Sequence, residues 1–189
     1  RSKSMDRNSF DSGDWFNRLD WTYQTNYFGT GLPPKADNGE SWPLMQPLLA
    51  NDTLRPAPSD IVFARDVTRD LLAVRESSTL FRLRTAADIR QRLTFPNTGT
   101  AQNPVVLVGH VNGKGYPGSV FKDVLYLINV DKQPQDITIP EEAGKAYQLH
   151  PVQAAGSAAD ARIRTGARFE TGSGRFTVPA RSAAVFVTR

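Results

Sequence analysis

The sequence predicts a mixed fold, in which a first half of loops and helices precedes an all-β second half. Two patterns along the chain carry this prediction. Residues 59–76 repeat apolar side chains at helical spacing, whereas from Leu93 onward the apolar runs are short, β-branched and bounded by Gly, Pro and Asn. No long helical pattern interrupts these later runs. The strands should therefore pair antiparallel, as a β-sandwich with Greek-key connections.

The first half begins with loops and short helices. Gly13 permits a turn before a short helix from Asp14 to Asp20. Residues 22–40 are rich in Tyr, Asn, Gly and Pro, which predicts a long loop, and such loops usually form binding surfaces. Trp42 to Leu49 is predicted as a short helix that is limited by two prolines.

A longer helix is predicted from Ser59 to Glu76, with Ser59 as its N-cap. Its apolar stripe must be buried against another element. Thr85 and Asp88 form a capping signature ahead of a further short helix, Ala86 to Arg92. The stripe of the longer helix consists of Phe63, Val67, Leu71 and Val74, joined by Ala64 and Leu72.

The second half contains eight predicted strands. The sequence Gly172-Ser173-Gly174 predicts a hairpin turn between two of them, and the small and polar residues from Ala154 to Ala161 predict a surface loop. The strands are predicted at Leu93–Phe95, Val105–Val111, Val124–Val130, Gln135–Ile139, Ala146–His150, Ala167–Glu170, Arg175–Val178 and Ala183–Val187.

The composition indicates a folded protein and argues against several kinds of site. Hydrophobic residues make up 39% of the 189 residues and charged residues 22%, which are proportions of a folded domain. The absence of Cys excludes disulfides and thiolate metal sites. A net charge of +4 with scattered Arg residues gives little support to nucleic-acid binding. No apolar run approaches the roughly 18 residues of a transmembrane helix.

The residue types that most often carry chemistry are isolated in this sequence. A structural role is favoured for His110 and His150, since neither has a partner at metal-ligand spacing. Asp11, Asp14 and Asp20 offer oxygen ligands for Ca²⁺ but lack the spacing of a calcium loop. No metal site is therefore predicted in this chain. The nucleophile motif Gly-x-Ser-x-Gly is absent too.

The stretch Asn8–Trp21 combines carboxylates, an arginine and aromatic rings. Asp14 and Arg18 are four residues apart, so one helical turn would place them side by side. A carboxylate acceptor beside guanidinium donors suits neighbouring sugar hydroxyls, and flat rings suit the apolar face of a pyranose. An ordinary surface ion pair, with the aromatic rings in a core, explains the same spacing, and spacing alone favours it.

Other residues near this stretch are further candidates for contact with a sugar. Trp15 either stacks on the sugar or anchors the loop, and the anchoring role is favoured. Asn17 either faces the cleft or caps the turn. The candidates for the wall of a binding groove are Tyr23, Tyr27, Phe28 and Trp42.

Four sequence stretches follow one another along most of the chain: RSKSMDRNSFDSGDWFNRLDW, WPLMQPLLAN, SSTLFRLRTAADIRQRLTFPNTG and PARSAAVFV. Together they resemble pullulanase-type debranching enzymes of the α-amylase superfamily, glycoside hydrolase family 13. The resemblance implies that residues 1–92 are the last loop and helices of an incomplete (β/α)8 TIM barrel. It implies that residues 93–189 are the β-sandwich domain that follows. It also implies that Asp14 and Arg18 hold the sugar on the non-reducing side of the cleavage point.

The resemblance further implies hydrolysis of α-1,6 branch bonds in pullulan, limit dextrins and related α-glucans. The configuration of the sugar would be retained, through a covalent glycosyl-enzyme intermediate. The catalytic acids of the superfamily lie on barrel strands that would precede Arg1, so this segment should supply substrate-binding residues but no catalytic acid. The expected partners are an α-glucan oligosaccharide or polysaccharide and the preceding barrel portion of the same enzyme. No cofactor is expected to be required, and Ca²⁺ binding by the whole enzyme is left open. The implied location is extracellular or at a bacterial cell surface.

A different class of function fits the same residues, namely a stand-alone carbohydrate-binding β-sandwich module without catalytic activity. A solvent-facing groove of parallel aromatic rings on the sandwich, far from Asp14, would favour that module. An uncovered apolar stripe on the helix from Ser59 to Glu76 would favour the enzyme segment instead. A third possibility, a purely structural β-domain at residues 93–189, is compatible with the enzyme segment.

Overall fold

The computed structural model describes residues 5–6 and 19–189. The chain divides into two compact units, Arg1–Asp66 and Val67–Arg189. This division rests on compactness alone. The predicted boundary after residue 92 separates two architectures, a barrel part and a β-domain, and it stays a prediction. None of the described helices is long and apolar enough to cross a membrane. The α-helices of the described residues are α1 Lys35–Asn38, α2 Trp42–Leu49, α3 Pro58–Glu76, α4 Ala86–Arg92, α5 Pro151–Ala154 and α6 Ala161–Gly166.

Two of the predicted helices have the predicted bounds, namely α2 and α4. Thr85 caps α4 as expected, because Thr85 Oγ1 accepts from the backbone N–H of Asp88 at 3.0 Å and donates to its carboxylate at 2.7 Å. The predicted loop at 22–40 is shorter than expected. Helix α1 and a 3-10 turn at Gly39–Ser41 occupy its last part.

Helix α3 begins one residue earlier than predicted, so the assignment of Ser59 as its N-cap is wrong. Pro58 occupies the first helical position, where a missing N–H is tolerated and the fixed φ of proline suits the helix. The carboxylate of Asp60 turns back and accepts from the backbone N–H of Ala57 at 2.9 Å. The start of the helix is therefore stabilised from within the first turn rather than by a serine hydroxyl.

All eight predicted strands are present in the second half, each within two residues of its predicted bounds. Strong β-branched and aromatic content between Gly and Pro breaks is sufficient to place such strands. They are β1 Leu93–Thr94, β2 Val106–Asn112, β3 Asp123–Asn129, β4 Gln135–Thr138, β5 Gln148–Leu149, β6 Arg168–Glu170, β7 Arg175–Val178 and β8 Ser182–Thr188.

The strands form two sheets, in which every pair of neighbours is antiparallel. One sheet has the order β1-β2-β3-β8-β5 and the other β4-β7-β6. The chain passes between the two sheets after β3, β4, β5 and β7, so the sheets are not simple meanders. The predicted hairpin turn joins β6 to β7. Gly174 in this turn has a φ of +68°, a conformation that favours glycine.

The main apolar core lies between the two sheets. Alternate residues of β2, β3 and β8 pack against alternate residues of β4 and β7. Edge-to-face contacts add to the burial, since the ring centre of Phe176 lies 5.2 Å from that of Phe186 and 5.3 Å from that of Tyr147. The most deeply buried members are Val108, Leu125, Leu127, Phe176, Val178, Ala184 and Phe186.

A second apolar cluster covers the opposite face of the five-stranded sheet. Because side chains alternate along a strand, Val124 of β3 and Val187 of β8 lie on this face rather than in the main core. They form one cluster with Val74 in the last turn of α3 and with Leu80 in the 3-10 turn that follows it. The end of α3 is therefore part of the same compact unit as the sheets.

Besides α1, two further short helices, α5 and α6, were not expected from the sequence. Helix α5 starts with Pro151 at its first position, directly after His150. Helix α6 is capped by Asp160, whose carboxylate accepts from the backbone N–H of Arg162 at 3.1 Å. Helices this short contain too few positions to show a helical period, which explains why the sequence did not predict them.

Candidate functional site

The residues predicted to contact a sugar lie outside the described part of the chain. They are Asp14 and Arg18 and, beside them, Asn17 and Trp15. Most of the predicted helix from Asp14 to Asp20 lies outside it as well. The roles of these residues therefore stay predictions. The structure describes the chain again from Leu19, so Asp20 is the described carboxylate closest in sequence to the pair.

Asp20 organises the turn that follows it. Its Oδ1 accepts from the backbone N–H of Thr22 at 2.9 Å and from the Thr22 hydroxyl at 2.6 Å. Its Oδ2 accepts from the backbone N–H groups of Gln24 at 2.9 Å and Thr25 at 3.0 Å. These bonds, that of the Thr22 hydroxyl first, lower the pKa of Asp20 to about 2, because they stabilise the charged form. The pattern Asp-x-Thr is a sequence signal for such a turn.

Tyr23 lies inside this turn and has a φ of +60°, which is uncommon for a residue other than glycine. Its N–H donates to the carbonyl of Asp20 at 3.1 Å, and the guanidinium of Arg65 lies 4.5 Å from the centre of its ring. Arg65 donates two hydrogen bonds to Asp66, at 2.8 and 2.9 Å. The bonds to Asp66 and Tyr23 raise the pKa of Arg65. The turn is therefore held by a carboxylate within it and by an arginine of α3.

A small apolar cluster anchors the loop beyond this turn. Phe28, Met45 and Leu49 are buried in it, and Trp42 packs against them. The interpretation of Phe28 as part of a groove wall is therefore wrong, because only 6% of this residue is exposed. Trp42 Nε1 donates to the carbonyl of Pro33 at 3.0 Å, which ties α2 to the loop.

The apolar stripe of α3 is buried at its C-terminal end, and three of its large side chains are exposed. Phe63 and Leu71 are each 43% exposed and Leu72 is 59% exposed, whereas Val74 in the last turn is 4% exposed. Several large apolar side chains exposed along one helix are typical of a surface that binds another polypeptide. The sequence predicted that this stripe needs a partner; among the described residues Val74 is buried, whereas Phe63, Leu71 and Leu72 stay exposed.

Polar side chains close one end of the main core. His110 Nε2 lies 3.0 Å from Asp123 Oδ1 and 3.9 Å from Glu142 Oε1. Asp123 Oδ2 accepts from the hydroxyl of Thr188 at 3.0 Å. The bond to His110 is the main cause that lowers the pKa of Asp123, and burial acts in the opposite direction. Sequence spacing could not show this pair, because it is the register of β2 and β3 that brings the two residues together.

Glu142 belongs to the same polar cluster. It accepts from the hydroxyl of Tyr147 at 2.7 Å and pairs with Lys145 Nζ at 2.6 Å. Burial, followed by the hydrogen bond to Glu142, raises the pKa of Tyr147. Within the described residues, no group of three His, Cys, Asp or Glu side chains is arranged to hold a metal ion. The cluster joins the five-stranded sheet to the connection between β4 and β5, which is a structural role.

His150 is 1% exposed and lies between the rings of Phe81 and Phe121. Its Nδ1 accepts from the backbone N–H of Val152 at 3.3 Å, so the proton is on Nε2, which donates to Ser77 Oγ at 3.0 Å. Burial lowers the pKa of His150 to about 4. The neutral imidazole thus links the start of α5 to the end of α3, in agreement with the structural role predicted for it.

The sandwich presents no row of aromatic rings to solvent. Residues 93–189 are all described, and Phe95, 46% exposed, is the one exposed aromatic residue among them. Phe169 and Phe176 instead lie 4.5 Å apart, ring centre to ring centre, within or against the core. The feature that would favour a stand-alone carbohydrate-binding module is therefore not found on this domain.

Comparison with known sequences identifies relatives along the whole chain. The profile of the family described as "Alpha-1,6-glucosidases, pullulanase-type, C-terminal" matches residues 23–189. The chain is 42% identical to "Pullulanase 1, chloroplastic" from Arabidopsis thaliana, in an alignment that covers 99% of this chain and 20% of that protein. It is 30% identical to "Pullulanase" from Klebsiella pneumoniae, with 98% of this chain and 17% of that protein covered.

Comparison with solved structures agrees. The crystal structure of the maltotriose complex of PulA from Klebsiella pneumoniae superposes with a TM-score of 0.82 at 28% identity, and the match covers 100% of this chain and 20% of that chain. The chain thus spans about a fifth of the length of these relatives. Because the family profile and the alignments cover nearly all of its residues, the chain belongs to the family of pullulanase-type α-1,6-glucosidases, of which it represents the C-terminal part.

Proposed function

We propose that the chain is the C-terminal part of an enzyme that hydrolyses α-1,6-glucosidic branch bonds in pullulan, limit dextrins and related α-glucans by a retaining mechanism. The observation that carries this proposal is the match to pullulanases along 98–99% of the chain. Retention by this route needs two carboxylates and a covalent glycosyl intermediate. In the proposed enzyme these carboxylates belong to the portion that precedes this chain.

In the proposed arrangement, residues 1–92 complete a (β/α)8 barrel and residues 93–189 form the sandwich behind it. The stripe on α3 supports this arrangement, since a barrel helix buries its apolar face against the barrel strands. Fully burying a Phe or Leu side chain contributes roughly 1.5–3 kcal/mol. Phe63, Leu71 and Leu72 are about half exposed, so covering all three would contribute on the order of 3 kcal/mol.

The proposed sugar-binding residues are Asp14 and Arg18, with Asn17 and Trp15 beside them. Active sites of such barrels lie at the C-terminal ends of the strands, where a loop after the last strand belongs. A carboxylate and a guanidinium together can satisfy adjacent sugar hydroxyls, which both donate and accept. Their contribution would be orientation, because hydrogen bonds to a neighbouring sugar hold the scissile bond in register.

The remaining parts of the proposal concern partners, cofactors and location. The partners are the α-glucan substrate and the barrel portion of the same enzyme. No cofactor is required in the proposed reaction, and Ca²⁺ belongs to the whole enzyme if it is bound at all. An extracellular or bacterial cell-surface location is a separate proposal, since the name of one relative places that protein in a chloroplast.

Two experiments test this function. Residues 1–189 expressed alone should release no reducing ends from pullulan, whereas the full-length protein should; cleavage by the isolated chain would refute the argument that its acids lie elsewhere. In the full-length protein, Arg18→Ala should lower turnover of branched dextrins with little effect on unfolding. Arg164→Ala, at an exposed position of α6, is the matched control. Unchanged kinetics of Arg18→Ala would remove the site assignment.

A further inference from the structure

A cleft opens at one edge of the sandwich, where the edge strands of the two sheets face each other without pairing. These strands are β1 in the five-stranded sheet and β4 in the three-stranded sheet. The cleft between them has a volume of about 470 Å³, which is within the usual range of ligand sites. Its lining includes Thr94, Thr98, Ile137, Thr138, Ile139 and Glu142.

One wall of the cleft is the connection that follows β1, and side-chain hydrogen bonds hold it in shape. Asn97 Nδ2 donates to the carbonyls of Asn103 at 2.8 Å and Val106 at 2.5 Å, and its Oδ1 accepts from the N–H of Asn103 at 2.9 Å. Asn103 Nδ2 in turn donates to Gln135 Oε1 at 3.0 Å, at the start of β4. The two walls are therefore tied together, and a ligand would meet a site that is already formed.

Glu142 lines this cleft with a carboxylate of which one oxygen is unused. Its side chain is 7% exposed, and its Oε2 accepts from the hydroxyl of Tyr147 and pairs with Lys145. Its Oε1 lies 3.9 Å from His110 Nε2, which is too far for a hydrogen bond. Among the described residues, Arg92 alone has a side-chain polar atom that is both sealed from solvent and unbonded. Glu142 Oε1 is therefore open, and it can accept from a donor that enters the cleft.

The other lining residues restrict the class of ligand. The hydroxyls of Thr94 and Thr138 have no hydrogen-bond partner among the described residues, so both can donate and accept. None of the lining residues is Lys, Arg or His, so an anionic ligand would meet no cation there. Lys145 already offsets the charge of Glu142, so a cationic ligand is not required. Two isoleucines of the main core add apolar surface to the lining.

A sugar unit has the matching chemistry, because its hydroxyls both donate and accept and its C–H groups are apolar. We infer that this cleft binds a neutral, hydroxyl-rich ligand, and that the ligand is a glucose unit of an α-glucan. The class of ligand follows from the lining of the cleft, whereas the choice of an α-glucan rests on the proposed function. The β-sandwich would then hold the substrate as well as stabilise the barrel.

Methyl NMR of the full-length protein, labelled at the isoleucine δ1 methyl groups, tests this inference with maltotriose as the probe. The signals of Ile137 and Ile139 should shift with a dissociation constant on the order of 1 mM, because a few neutral hydrogen bonds supply little more. Ile163, which is buried in the same core but does not line the cleft, should not shift. No shift of the two cleft signals well above this concentration would overturn the inference. Shifts with Ca²⁺ but not with maltotriose would also overturn it, since Glu141 and Glu142 would then mark a cation site.

Two variants connect the signals to the lining residues. Thr138→Val keeps the shape of an exposed side chain and removes its hydroxyl, so the protein should fold normally and the dissociation constant should rise about fivefold. Glu142→Gln removes the charge of the open carboxylate and should raise the dissociation constant about tenfold. Thr165→Val, at an exposed position of α6 outside the cleft, is the matched control and should leave it unchanged. Because Glu142→Gln also weakens the pair with Lys145, an unchanged dissociation constant in Thr138→Val is the decisive contrary result.

The outcome for this cleft can be separated from the outcome for the proposed function. If the full-length protein releases reducing ends from pullulan but the signals of Ile137 and Ile139 do not respond to maltotriose, the inference fails and the proposed function stands. If these signals respond and pullulan is not cleaved, the proposed function fails and the cleft is still a sugar-binding site.

Discussion

Lowering the pH from 7 to 5 should cost the chain about 2 kcal/mol of unfolding free energy through His150 alone. The pKa of this imidazole is about 4 in the folded chain, compared with 6.5 for an unrestrained histidine. The unfolded chain therefore binds more protons between these two values. The stabilisation is complete above the unfolded pKa and is lost as the pH falls from about 6.5 towards 4. Its full size, reached below pH 4, is roughly 3 kcal/mol.

The structural origin of this effect is the environment of the ring. His150 is 1% exposed between two phenyl rings, and its Nδ1 accepts the N–H of Val152. A second proton would occupy Nδ1, abolish that bond and place a charge in an apolar cluster. The neutral ring is therefore required for the contact between α5 and the end of α3.

Urea denaturation of residues 1–189 at pH 7 and pH 5 measures the effect, with His150→Asn as the reference variant. Asparagine can still cap α5 through its oxygen but does not titrate. Between pH 7 and pH 5, the free energy of unfolding of the wild-type chain should fall by about 2 kcal/mol more than that of this variant. Asp123 and Asp160, whose pKa values are lowered, contribute equally to both chains and cancel. Equal losses in the two chains would refute the assignment of a buried, neutral His150.

Three further changes test the packing. Phe176→Ala, at a fully buried position, should lower the free energy of unfolding measured by urea denaturation by about 3–5 kcal/mol. Phe95→Ala, at an exposed position, should lower it clearly less. Similar losses for the two variants would contradict the assigned core. Gly174→Ala should lower the melting temperature, because the added Cβ would lie 2.3 Å from a backbone carbonyl oxygen, whereas Gly156→Ala, with open space around it, should not. Leu72→Ser should leave residues 1–189 nearly unchanged but increase proteolysis of the full-length protein near α3, and equal proteolysis would argue against a covered stripe.

Element types followed from the sequence wherever a segment was long enough to show its period. Helix α3 followed from its apolar period, the eight strands followed from short β-branched runs between breaks, and α4 followed from its capping signature. The short helices α5 and α6 were missed, and the N-cap of α3 was placed on Ser59 instead of the residues around Pro58. In each case the deciding interaction was a local side-chain bond that several residues could have made.

The candidate site was predictable to a different extent. Asp14 and Arg18 were selected by their spacing and by the resemblance to debranching enzymes, and their roles stay predictions. The turn at Asp20 was visible only as an Asp-x-Thr pattern, whose four hydrogen bonds depend on backbone angles that the sequence does not state. The pair His110–Asp123 was not predictable at all, because it depends on the register of two strands.

By itself, the sequence determined the family, the order of helices and strands, and the lack of any thiol chemistry. These properties depend on residue types and on short-range periodicity, which a chain displays without folding. The tertiary structure alone decided that the stripe of α3 is buried at Val74 and exposed at Leu72, that His150 is neutral, and that Asp20 closes a strained turn. Burial, protonation and strain depend on neighbours that the fold brings from elsewhere in the chain. The sequence alone does not show which distant residues will be in contact.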